Sequence, residues 1–131
     1  IAELGLGNVI SLKGWTNVPF TKMLNSDGYL LTSRYEGMPN SLMEAMVAGL
    51  PCISTNCETG PSDLINDGYN GLLVNVGDEQ ALGATIINLA NKTKEDRRKM
   101  GEAARAFVLN KFSPRIVSEK WRQLFYNLKG V

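Results

Sequence analysis

Between Gly28 and Gly49 the chain passes from an apolar stretch, through a loop rich in Gly and Pro, into a segment of helical period. That order constrains the fold more than any other feature, and it recurs along the chain. Short apolar runs alternating with helix-period segments predict parallel strands joined by helices, an α/β fold. Val9 to Leu12 reads as a first strand, Pro19 to Asn25 as a short helix with Pro19 suited to its first turn, and Tyr29 to Thr32 as a second strand. Asn40 reads as the N-cap of a helix that runs to Ala48, with Gly49 as its stop. Pro51 to Ser54 is short and apolar enough for a central third strand. Gly60-Pro61-Ser62 breaks the chain ahead of a helical turn from Asp63 to Asn66. The Asp67-Gly68 and Asn70-Gly71 turns then lead into a fourth strand, Leu72 to Val76. Three longer helices follow. Asp78 to Asn91 places Leu82, Ile86, Leu89 and Ala90 on one face, and Lys94 to Leu109 does the same with Met100, Ala103, Ala104, Phe107 and Val108. Ser113-Pro114 opens the last helix, which carries Ile116, Val117, Trp121, Leu124, Phe125 and Leu128 at helical spacing.

A chain of 131 residues makes one domain and buries roughly two-thirds of the surface its unfolded form exposes. The net charge of +1 sets up no strong field toward nucleic acid, and none is expected as a partner. No run approaches the ~20 apolar residues of a membrane span, and no signal peptide is visible. The absence of His excludes imidazole acid–base chemistry and His metal ligation within this chain. Cys52 and Cys57 are too few to hold a metal alone. They read as a buried small residue and a loop thiol, with a disulfide not expected in an intracellular protein. Ile1-Ala2-Glu3-Leu4 reads as the tail of an amphipathic helix, which implies a piece of a longer protein. The basic run Lys92, Lys94, Arg97, Arg98 and Lys99 suits either a peripheral contact with anionic lipid or a solvated helical surface, and the interleaved Glu95 and Asp96 favour the surface.

In open α/β sheets, ligands bind beyond the carboxyl ends of the strands. Three loops are expected there: Lys13 to Val18, Ser33 to Pro39, and Thr55 to Gly60. The middle loop carries Glu36, and the helix after it carries Glu44, with seven residues between them. A strand, a tight loop and a helix N-terminus together form an anion site. Carboxylates on either side of that site suit a ligand with hydroxyls flanking a diphosphate, as in a nucleotide sugar. The backbone N–H groups of Gly37, Met38, Asn40 and Ser41 are the candidate donors, whereas Pro39 has none and can only shape the loop. Glu44, expected in the first helical turn, suits ribose hydroxyls or simply the helix dipole. Glu36 is a ligand-facing carboxylate or a solvated loop acid. No Asp-x-Asp pair offers a clamp for a divalent cation, and the helix N-terminus can itself offset the diphosphate charge, so no metal or other cofactor is expected.

Glu36 and Glu44, followed by Ala45-Met46-Val47-Ala48-Gly49-Leu50-Pro51, resemble the donor-site motif of retaining glycosyltransferases of the GT-B fold, family 4, the glycosyl transferases group 1. Gly14-Trp15, Asn70-Gly71-Leu72-Leu73-Val74 and Phe112-Ser113 extend the resemblance over nearly the whole chain. It implies a Rossmann-like three-layer domain with a mainly parallel sheet, residues 1–131 being the C-terminal lobe of a GT-B enzyme whose N-terminal acceptor domain lies outside this chain. It implies that Glu36 faces the transferred sugar and serves catalysis, that Glu44 holds the ribose, and that Trp15, Thr16 and Asn17 line the base pocket, Trp15 being equally suited to the core. The donor favoured by this resemblance is a UDP-sugar. The acceptor is a saccharide or a lipid-linked molecule, met in the cytoplasm or at the inner face of the membrane. Thr55-Asn56-Cys57-Glu58-Thr59-Gly60-Pro61 looks like the subgroup that builds bacterial surface polysaccharides. The family's Arg and Lys pair for the diphosphate falls upstream of Ile1. A non-catalytic sugar-nucleotide-binding module and a nucleotide-sugar epimerase of the same fold are the alternatives, the epimerase being expected to use His residues that this chain lacks.

Overall fold

Parallel pairing of three short strands organises residues 1–129, the part of the chain that the computed structural model describes. The elements run α1 (Pro19–Leu24), β1 (Tyr29–Leu31), α2 (Asn40–Val47), β2 (Cys52–Asn56), α3 (Pro61–Leu64), β3 (Leu72–Asn75), α4 (Glu79–Asn91), α5 (Lys94–Phe112) and α6 (Pro114–Lys129). The strands stand in the order β1-β2-β3, with Tyr29 opposite Cys52 and Ile53 opposite Leu72. The centre strand β2 is buried along Cys52, Ile53, Ser54 and Thr55, as a strand covered on both faces must be.

Alternation along β2 divides the core in two. Cys52 packs with Leu42, Ala45 and Met46 of α2, with Leu64, and with Ala104 and Val108 of α5. Ile53 points the other way, toward Leu89 of α4 and Met100, with Leu72 and Leu82 beside them. Helices therefore lie on both faces of a parallel sheet, the three-layer arrangement expected from the sequence. Burial of Leu42 or Met46, both fully inaccessible, contributes about 1.5–3 kcal/mol each. The seam between α2 and α5 depends on a small residue. A Cβ on Gly101 would stand 1.9 Å from the Gly49 carbonyl oxygen, so any larger residue would push α5 off the end of α2. Arg105 of α5 donates from Nη1 to the Val47 carbonyl at 2.8 Å and caps that end.

Local chemistry sets most boundaries. Asp78 caps α4 by accepting from the Ala81 N–H at 2.8 Å, and Thr93 caps α5 by accepting from Asp96 at 3.0 Å. Asn70, wholly buried, accepts from the Asn66 N–H and donates to the Leu64 carbonyl, which ties α3 to the turn before β3. The basic run behaves as a surface. Arg98 pairs with Glu95 and Glu102 on its own helix, and Arg97 donates to the carbonyls of Ala90 and Lys92.

Several expectations need correction. Val9 to Leu12 forms no strand, and the sheet has three strands among the described residues rather than four. The amides of Val9 and Ile10 donate to the Leu6 carbonyl, and Val9 and Leu12 are 78% and 85% exposed. A strand persists only against a partner, and no other strand flanks this run among the described residues. Ile1 to Leu4 is a turn rather than a helix end. The helical turn after Gly60 spans Pro61–Leu64, earlier than Asp63 to Asn66, because proline fits the first helical position. Helix α5 runs on to Phe112, past Leu109. The apolar stripe of α6 is helical as expected, but Trp121, Leu124, Phe125 and Leu128 are all exposed.

Candidate functional site

The loop from Thr32 to Pro39 leaves the carboxyl end of β1 and is held by the segment that leaves the carboxyl end of β2. Every second residue of that segment contributes. Thr55 Oγ1 donates to the Ser33 carbonyl at 2.5 Å, Cys57 Sγ donates to the same carbonyl at 3.0 Å, and Thr59 Oγ1 donates to the Glu36 carbonyl at 2.5 Å. Gly60 closes the contact. Its φ of +94° is the left-handed region, and a Cβ there would stand 2.1 Å from the Gly37 carbonyl oxygen. Buried Pro39 completes the turn into α2.

Glu36 is the half-buried member of the carboxylate pair. Its Oε1 accepts from Ser33 Oγ at 2.6 Å. Glu44 is exposed and lies on α2, on the same face as Asn40, Met43 and Val47. With Phe20, Phe112 and Val117 these residues line an open cleft of 490 Å³ between α1, α2 and the junction of α5 with α6. Neither carboxylate takes part in a salt bridge among the described residues.

The start of α2 differs in detail from expectation. Asn40 is the first helical residue, not the N-cap. Pro39 occupies the cap position, and its carbonyl accepts from the amides of Leu42 and Met43. Proline's fixed φ, here −76°, suits the entry and leaves no side-chain cap. Glu44 accordingly becomes the fifth residue of the helix, in its second turn rather than its first. The amides of Gly37, Met38, Asn40 and Ser41 donate to no protein acceptor among the described residues. Four N–H groups are thus unspent at the positive end of a helix, between Glu36 and Glu44 in sequence.

The remaining expected site residues are not gathered here. Trp15 is 88% exposed, which removes it from the core, and Trp15 and Asn17 lie in a segment without regular structure. Conversely, Cys57 is a buried anchor rather than a plain loop thiol. Cys52, buried at the start of β2, donates to the Leu50 carbonyl, and desolvation pushes its thiol up to about 12, which keeps it neutral and inert. Ser33, Thr55 and Thr59 were passed over in the sequence. Their signals were a hydroxyl three residues before Glu36, and polar groups at alternate positions running off a strand.

A parallel sheet with helices on both faces and a helix N-terminus at its carboxyl edge define a Rossmann-like domain. The chain belongs to the glycosyl transferases group 1 family, whose model matches residues 1–107. It is similar to a lipopolysaccharide 1,6-galactosyltransferase of Salmonella typhimurium, 43% identical over 79 residues, 57% of this chain and 22% of that protein. A variant of S. aureus TarM, solved with fondaparinux, α-GlcNAc-glycerol and UDP, superposes with a TM-score of 0.88 at 31% identity, over 95% of this chain and 25% of that one. Anabaena HepE, solved with UDP-glucose, gives a TM-score of 0.82 at 26% identity, over all of this chain and 35% of that one. The chain spans about a fifth to a third of the length of these relatives.

Proposed function

We propose that this chain is the donor-binding, C-terminal lobe of a retaining glycosyltransferase. The enzyme moves a hexose-type sugar from a nucleoside-diphosphate donor, a UDP-sugar by preference, to a saccharide or lipid-linked acceptor in surface-polysaccharide synthesis. The observation that carries the reading is the unspent amide set of Gly37, Met38, Asn40 and Ser41 at the start of α2, with Glu36 held beside it. Those amides and the helix dipole suit the diphosphate. Glu44 takes the ribose hydroxyls. Glu36 faces the sugar, where positive charge grows at the anomeric carbon as the bond to the β-phosphate breaks. Negative charge grows on the leaving diphosphate, and donors fixed in advance stabilise it at little reorganisation cost.

Trp15 and Asn17 belong to the base pocket in this reading, which requires their segment to settle against the body when donor binds. The acceptor, the Arg and Lys pair for the diphosphate and the exclusion of water come from an N-terminal lobe. The reaction needs no metal, because the positive end of α2 meets the diphosphate charge. It takes place in the cytoplasm, at the inner membrane face when the acceptor is lipid-linked. Among the described residues no helix is long and apolar enough to cross a membrane. The likeness to a galactosyltransferase favours transfer over epimerisation or binding alone. The test is a transfer assay on the full-length protein with UDP- and GDP-sugars, with the product's anomeric configuration read by NMR. Binding of a nucleotide sugar without turnover, across all acceptors offered, would leave a binding module instead.

A further inference from the structure

We propose that Ser33 and Thr59 are positioning residues for Glu36, fixing its carboxylate from the side-chain end and its peptide from the backbone end. The inference rests on the reading of Glu36 as the sugar-facing group. A glutamate on a Gly/Pro loop has three side-chain torsions and a mobile backbone, and both must be restricted before its carboxylate can meet a developing charge. Ser33 Oγ reaches Oε1 at 2.6 Å, which leaves Oε2 free. Thr59 Oγ1 reaches the Glu36 carbonyl at 2.5 Å from a separate loop.

The root of the arrangement is rigid. Thr55 and Cys57, both buried, hold the Ser33 carbonyl, so the hydroxyl of Ser33 springs from a fixed peptide. Gly60 abuts Gly37 on the far side of Glu36. The carboxylate-bearing residue is thus clasped on both flanks by the segment that continues from β2. Thr59 is exposed, and so its hydroxyl adds little to the core. Its hydroxyl donates to the peptide of Glu36.

The experiment compares Ser33→Ala, Thr59→Val, Thr59→Ser and Glu36→Gln in the full-length protein. It reads Tm, donor KM and kcat for nucleoside-diphosphate release (UDP or GDP) from whichever of UDP-glucose, UDP-galactose, UDP-N-acetylglucosamine or GDP-mannose is turned over fastest. Ser33→Ala is expected to lower kcat about tenfold, the scale of one hydrogen bond to a charged group, and Thr59→Val about fivefold, the scale of one neutral hydrogen bond, with KM and Tm unchanged. Thr59→Ser keeps the hydroxyl and restores kcat. Ser33→Ala combined with Glu36→Gln is expected to be no slower than Glu36→Gln alone, because the two act as one unit. Native kcat in Ser33→Ala and Thr59→Val, with Glu36→Gln slow, overturns the positioning role and leaves Glu36 in place. Native kcat in Glu36→Gln overturns the underlying reading of Glu36 itself. A drop in Tm and a rise in KM that account for the whole loss assign Ser33 and Thr59 to the scaffold and also overturn the proposal.

Discussion

Glu36 and Glu44 belong to one motif and live in opposite mechanical circumstances. Glu36 sits on a loop, the kind of segment that is ordinarily mobile, yet it is half-buried and clasped by Ser33 and Thr59. Glu44 sits on a helix, the kind of segment that is ordinarily rigid, yet its carboxylate is exposed on an open cleft and bonded to no protein group among the described residues. The difference teaches where precision is needed. A group that meets charge developing in the transition state gains from being fixed in advance. A group that holds a ribose can order itself when the ligand arrives, because the same contacts persist through the reaction.

The largest effect expected from breaking this contrast is at Glu36. Glu36→Gln keeps the shape and removes the charge, and kcat of the full-length enzyme is expected to fall about a hundredfold to a thousandfold. Donor KM is expected to change little. Glu44→Ala sharpens the other side of the comparison. Donor KM is expected to rise about tenfold or more, with kcat nearly retained, as two charge-assisted contacts are lost from ground and transition states alike. An unchanged KM would remove Glu44 from the ribose.

The strand, loop and helix that carry the two carboxylates were legible in the sequence, and the reasons are physical. The strand–loop–helix order around Glu36 follows from apolar periodicity, Gly/Pro punctuation and helix stops, which are local. The three strands that formed, the order of the helices, and the Asp78 and Ser113-Pro114 boundaries are local in the same way. What failed depended on partners. Val9 to Leu12 has the composition of a strand and no neighbour to pair with among the described residues. Asn40 has the chemistry of an N-cap, but Pro39 takes the cap position and Asn40 becomes the first helical residue. Ser33, Thr55, Cys57 and Thr59 were unremarkable as a list and became a clasp only when β2 placed one loop against the other. Glu36 and Glu44 are read as site residues from their spacing together with the motif around them, whereas Trp15 and Asn17 lie in a segment whose place no local rule decides.

A smaller effect separates the two cysteines beneath the loop. Cys52 packs in the core beside α2 and α5, and burial pushes its thiol up to about 12 in the folded chain against an ordinary value of 9.0. The folded state therefore holds its proton where the unfolded state releases it. Stability from this source is complete below pH 9, and it declines as pH rises from 9 toward 12. Cys52→Ala is expected to flatten that alkaline decline in denaturation midpoints without altering nucleotide affinity at neutral pH. Loss of nucleotide binding in this variant would couple the core to the loop more tightly than the contrast allows. The smallest expected effect is none at all: chelation by EDTA should leave transfer by the full-length protein intact. Complete loss restored by magnesium or manganese would shift the diphosphate charge from the helix to a cation.

The central claim is that the start of α2, between a clasped Glu36 and a free Glu44, receives a nucleoside diphosphate. Titration of UDP into ¹⁵N-labelled chain tests it directly, residue by residue. The predicted result is saturable shifts in the amides of Gly37, Met38, Asn40 and Ser41, with Glu44 and its neighbours following. The expected Kd is roughly 0.1–1 mM. Shifts confined to other surfaces, such as the cleft between Asp27 and Arg97 on the opposite side of the sheet edge, or no shifts at all in a folded sample, would contradict the account.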